Sequence, residues 1–193
     1  MKPLLALCLC VSVATSVADA QTLYEGARLV PGDGSAVIER SAILVEQGRI
    51  GQIGAQGAIK VPSGVRRIDV SGKTIVPALV ATHVHPGFQI GTAYVRDNYN
   101  AGTVVNDLNR ALYFGVSVAQ SMGIETGDLM YQVRADQRAA KLAPTATLLV
   151  AGRGIGSPNA GPGGATYAGM AYEVTTEAES RKAVQELAGR KVD

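Results

Sequence analysis

Cysteine is nearly missing from this chain of 193 residues: only Cys8 and Cys10 occur. Both lie in an N-terminal segment, residues 1–20, that reads as an export signal. Lys2 gives its positive start, Leu4 to Val13 its apolar core, and Ala18-Asp19-Ala20 an A-x-A cleavage pattern before Gln21. A mature chain starting near Gln21 has no cysteine, so it forms no disulfide in the periplasm or outside the cell, and its stability must come from a core or a metal. Long hydrophobic runs are also lacking. The apolar stretch falls short of the roughly 20 residues that cross a bilayer, which argues against a stable membrane anchor. Lipidation is disfavoured because both cysteines follow leucine. Charge of one sign is scarce as well: the net charge is +2, with no Lys/Arg cluster interleaved with aromatics, so nucleic acid is not an expected partner. Solenoid repeats are absent.

What remains is the composition of a soluble globular enzyme, with 47% hydrophobic and 18% charged residues. The 23 glycines punctuate many short elements, which fits α/β or all-β architecture and not a helical bundle. From Thr22 to Val70 the pattern is short β segments. Leu23 to Leu29 leads into Pro31-Gly32-Asp33-Gly34. Ala42 to Glu46 turns through Gln47-Gly48 into Arg49 to Gly54 as a hairpin, and Val65 to Val70 and Lys73 to Val80 follow. This predicts a small β-sandwich-like domain over residues 21–73.

From residue 74 the pattern alternates. Helical spacing covers Asp97 to Tyr113 and Glu125 to Leu142, with strands at Gly115 to Gln120 and Ala146 to Ala151. The last helix carries a capping box, Thr176 with Glu179, and a predicted buried stripe of Ala183, Val184 and Leu187. Strand and helix in alternation imply a parallel sheet. Lys191-Val192-Asp193 reads as the approach to a further strand.

The only two histidines stand in Thr82-His83-Val84-His85-Pro86, after the apolar run Ile75 to Ala81. Residues i and i+2 of a strand share a face, so both imidazoles aim at one point. That is metal-ligand geometry, set at the mouth of a sheet where Pro86-Gly87 ends the pairing.

The order of signal, small β domain and Gly72-Lys73-Thr74-Ile75-Val76-Pro77-Ala78-Leu79-Val80-Ala81-Thr82-His83-Val84-His85 resembles the amidohydrolase superfamily, in particular its imidazolonepropionase-like and prolidase-like secreted members. Gly115 to Gly123 is similar to that group's second barrel strand, and Gly152-Arg153-Gly154-Ile155 to the segment after the third. The resemblance implies an α/β fold: the start of a metal-dependent (β/α)₈ TIM-like barrel, about three βα units over residues 74–193, after the β-sandwich domain. It implies that His83 and His85 bind a divalent metal, zinc first. The other ligands, a lysine, two histidines and an aspartate, would come from later strands, the lysine just past Asp193. Lys191, which precedes its strand, is a poor stand-in. Two departures stand out. Ala81 and Ala78 occupy positions where the family commonly has Asp and Gly, and Gln120-Ser121 replaces a common Arg-Asp.

The implied chemistry is attack of a metal-activated water on a non-peptide amide, cyclic amide or dipeptide-like C–N bond of a small-molecule substrate. With two ligands in place of the three or more that zinc needs, the chain by itself is expected to be inactive. Gly152 to Gly164 matches no phosphate-binding motif and reads as a mobile loop over the mouth. Arg153 there is a candidate for a substrate carboxylate, or a solvated surface arginine. Ser121 either faces the pocket or caps a turn. Tyr94 and Tyr99, with Asp97, Asn98 and Asn100, line the pocket or pack as an ordinary loop. The rival to the enzyme is a non-catalytic truncated protein or binding module that keeps the barrel start; a membrane-anchored sandwich domain is a third reading. Self-association into a homo-oligomer is compatible with the sequence.

Overall fold

The computed structural model describes residues 21–158 and 168–193. The expected export signal lies outside them, as do residues 159–164 of the glycine-rich loop. The chain divides into two compact units, one through Pro77 and one from Ala78. The sequence drew its boundary at residue 74; the structure keeps Thr74–Ile75 in the first unit.

In the first unit a four-stranded sheet runs β4(Arg49–Ala55), β3(Ser41–Glu46), β1(Thr22–Glu25), β5(Arg66–Asp69). β1 lies antiparallel to β3 and parallel to β5. The hairpin joining β3 and β4 turns on Gln47 and Gly48, whose φ angles of 50° and 71° give the doubly left-handed turn that matches strand twist. Leu23, Ala42 and Leu44 form the core, covered by Ile59, Val61 and Val65. The predicted continuous strand Leu23 to Leu29 is broken at Gly26 (φ 94°), so β2(Arg28–Leu29) leaves the main sheet and pairs with β6(Thr74–Ile75). The predicted strand Lys73 to Val80 is broken too. Pro77 has no N–H to donate, and the chain resumes as β7(Leu79–Val84) in the second unit.

There, β7, β10(Val116–Gly123) and β11(Thr147–Arg153) form a parallel sheet in the order β11-β10-β7. β7 is an edge of this sheet, and its Leu79 and Val80 are exposed. Helices α1(Ala101–Tyr113) and α2(Leu129–Arg138) cover one face, with Val104, Leu108, Met130 and Val133 packed on Ala119, Leu148 and Val150. The predicted helix from Asp97 instead begins with a 3₁₀ turn at Arg96–Asn98; α1 starts only after Asn100, whose side chain caps it by accepting from the Thr103 amide. The predicted helix 125–142 is shorter at both ends. Gly127 (φ 64°) delays its start and Ala140 (φ 52°) closes it. Short ribbons β8(Gln89–Ile90)/β9(Ala93–Tyr94) and β12(Ile155–Gly156)/β13(Tyr172–Glu173) complete the unit with α3(Glu177–Gly189). The α3 capping box forms as predicted, but the buried stripe is narrower: Ala183 is buried and Val184 exposed. Among the described residues no helix is long and apolar enough to cross a membrane.

Candidate metal centre

His83 lies on β7 and His85 one residue past its end, and their rings meet edge to face with Nε2 atoms 3.3 Å apart. A tetrahedral zinc with Zn–N bonds of about 2.0–2.1 Å would hold two such nitrogens about 3.3–3.4 Å apart, whereas a right-angled octahedral pair would sit at about 2.8–3.0 Å. The observed spacing is short enough for one ion to reach both nitrogens. Among the described residues no group of three or more His, Cys, Asp or Glu side chains converges to hold a metal.

Each ring has a separate setting. His83 is exposed and His85 half-buried. Burial, then the neighbouring His83, pushes the His85 pKa below its usual value, against an opposing hydrogen bond to the Met122 backbone. The neutral ring is the state that ligates metal. Met122 sits at an irregularity in β10, where the pairing with β11 shifts between Ser121 and Gly123. Gly123 adopts φ 81° there, and its carbonyl accepts from the Gly154 amide at 2.7 Å. The bulge thus turns the backbone of one strand toward the histidine of the next.

The turn after β7 is pinned as well. The Gly87 amide donates to Asp107 Oδ2 on α1 at 2.8 Å, and a Cβ at Gly87 would meet Val104 Cγ2 at 2.7 Å. Phe88, fully buried, stacks on Tyr99 at 4.9 Å. Beside His85 a cavity of about 270 Å³ is lined by Val84, Gln89, Tyr94, Asp107 and Arg110 among others. Of the two tyrosines singled out in the sequence, Tyr94 borders this cavity and Tyr99 packs inside.

The remaining candidates are placed differently from the histidines. Arg153 directs its guanidinium to backbone carbonyls, from Nε to Met170 at 2.9 Å and from Nη2 to Ala171 at 2.9 Å. Through these bonds it clamps the chain leading into β13. Ser121 is fully buried and does not border the cavity beside His85. It lies beside Glu125, which is only 1% exposed and which the sequence pattern presents merely as the first residue of a helix. No local signal marks Glu125 as buried, because its cover comes from Tyr99 and the end of β11.

No family model matches the chain. A 5-methylthioadenosine/S-adenosylhomocysteine deaminase of Symbiobacterium thermophilum is 37% identical over 76 residues, 39% of this chain and 17% of the relative. Among solved structures, a putative prolidase from Bifidobacterium longum superposes with a TM-score of 0.71 at 22% identity, covering 91% of this chain and 40% of that one. A Xaa-Pro dipeptidase with bound methionine gives 0.71 at 22%, covering 90% and 46%. The chain thus spans less than half the length of the proteins it matches. These likenesses show the fold, a part of a (β/α) barrel with a β domain before it, and they agree with the amidohydrolase resemblance read from the sequence.

Proposed function

We propose that the chain is part of an exported metal-dependent hydrolase of the amidohydrolase type, acting on a C–N bond of a small molecule, with His83 and His85 as ligands to a divalent metal, zinc by preference. The observation that carries this reading is the 3.3 Å separation of the two Nε2 atoms at the end of a parallel barrel strand. The prolidase, dipeptidase and deaminase named among the similar proteins support a C–N bond as the target. The export pattern in residues 1–20 supports a periplasmic or secreted location.

When bound, such a metal polarises a carbonyl and lowers the pKa of a water to near neutrality. This chain's residues hold the ion's first two positions: β7 fixes both rings on one face, and the Met122 backbone steadies His85. Gln89 and Tyr94 border the cavity beside His85, where a substrate group finds both apolar and polar walls. Zinc binding by equilibrium dialysis tests the assignment. The wild-type chain should bind one zinc weakly, and H83A or H85A should each lose that binding. Equal binding by all three would overturn it. Turnover of any amide by this chain alone would show that the missing ligands are not needed.

A further inference from the structure

Two imidazoles fill two places around a zinc ion, whereas zinc held by a protein is four-coordinate, with three or four of the ligands from side chains. Among the described residues no third His, Cys, Asp or Glu joins His83 and His85. The way the pair is displayed shows where further ligands can come from. Val84 packs against the core beneath the helices, so the alternation of a strand turns His83 to the opposite face, and its ring is exposed. β7 is the outer strand of its sheet, with no strand beyond it among the described residues, and Leu79, Val80 and Thr82 on it are exposed as well. A second polypeptide can therefore reach the place where the two Nε2 atoms stand 3.3 Å apart.

The partner that supplies the same donors is another copy of this chain. We propose that one zinc ion joins two copies, each contributing Nε2 of His83 and Nε2 of His85, so that four imidazoles complete the coordination. This bridge rests on the reading of the pair as metal ligands and adds the source of the other two. A two-fold symmetric contact needs the same patch on both partners, and an ion on the symmetry axis meets that condition by itself. The net charge of +2 sets little repulsion between copies. Neutral rings leave the ion's own charge unbalanced, but at an exposed tip water and counter-ions screen it.

The test follows mass and zinc content together. The metal-free chain is titrated with zinc at fixed chain concentration in an analytical ultracentrifuge, and bound zinc is read from parallel dialysis. The mass should double, with the dimer most abundant at one zinc per two chains, and fall back once zinc exceeds one per chain, because each pair then keeps an ion of its own. EDTA should restore the monomer. H83A and H85A should stay monomeric throughout. His83 is exposed, so H83A should keep the wild-type circular dichroism, and it carries the comparison if H85A, altered at a half-buried position, does not fold. Zinc bound at the histidines with the mass unchanged at every ratio would overturn the bridge and leave the pair as ligands. No zinc bound by the wild type would overturn both, in favour of a plain hydrogen bond between the two rings. A dimer that persists in EDTA would overturn the bridge by placing the contact on the open rim of β7, and zinc-driven doubling in H83A would do so by moving the ion elsewhere.

Discussion

Arg153 lies with its guanidinium carbon 4.2 Å above the ring of Tyr172 while its N–H groups reach the carbonyls of Met170 and Ala171. One side chain at the end of β11 thus grips the strand that pairs with β12, by charge–ring attraction and charged hydrogen bonds together. In R153M the apolar stem remains and the grip is lost. Amide exchange at Tyr172 and Val174, which donate to Gly154 and Gly156, should speed up about tenfold, the equivalent of ~1.4 kcal/mol. Zinc uptake by the histidines should be unchanged. Unaltered exchange at Tyr172 would mean that the ribbon holds itself.

Two glycines with the same backbone sign separate conformational strain from crowding. Gly115 (φ 85°) has nothing within 4 Å of the methyl that alanine would add, whereas at Gly152 (φ 82°) a Cβ would lie 2.5 Å from Leu187 Cδ2 and 2.8 Å from Tyr131 Oη. G115A should cost about 1 kcal/mol from the left-handed backbone alone. G152A should cost about 2–4 kcal/mol, because packed neighbours must move as well. Urea midpoints of the two variants decide this, and equal losses would refute the crowding.

Helix α3 should lose its start in acid. Hydrogen bonds from the Thr175 amide and hydroxyl, then from Thr176, hold the Glu179 pKa down at about 2. A carboxylate depressed in the folded state stabilises fully above its ordinary range near 4.5, and that stabilisation is lost as pH falls from there through about 2. Far-ultraviolet circular dichroism in that window should show E179Q with a flatter acid response than wild type. T176A should cost about 1 kcal/mol at neutral pH.

The carboxylate of Asp193 accepts from Arg134 at 2.5 Å, from Arg138 at 2.8 Å and from the Val150 amide at 3.0 Å. Burial works to raise its pKa, but Arg134, the Val150 amide and Arg138 outweigh it and hold the group below its usual value. D193N keeps the shape and removes the charge, leaving the buried Arg134 without its ion pair. A loss of about 2 kcal/mol in denaturant unfolding is expected at neutral pH. The loss should shrink as pH falls, because the wild-type carboxylate is then protonated too. A difference between the two proteins that is independent of pH would argue against the charge.

Much of this was legible in the chain itself, where the signal is local. The two-residue spacing of His83 and His85 placed both rings on one side, Gln47-Gly48 announced the hairpin, and Thr176 with Glu179 announced a helix start. The errors arose where a local pattern ran past a backbone break. Gly26 and Pro77 cut strands whose apolar residues read as continuous, and Gly127 shortened a helix whose flank reads as helical. Contacts between distant residues left no trace in the pattern. Arg134 meets Asp193 across 59 positions, and the burial of Glu125 depends on Tyr99, which precedes it by a helix and a strand.

Along the outer rim of β7 the backbone donors and acceptors have no neighbouring strand among the described residues, and Leu79 and Val80 are 61% and 57% exposed. Such a rim is sticky toward any extended polypeptide. How concentrated a solution of this chain stays dispersed would then be governed by two aliphatic side chains at the start of β7, and V80K should postpone clouding without disturbing zinc uptake.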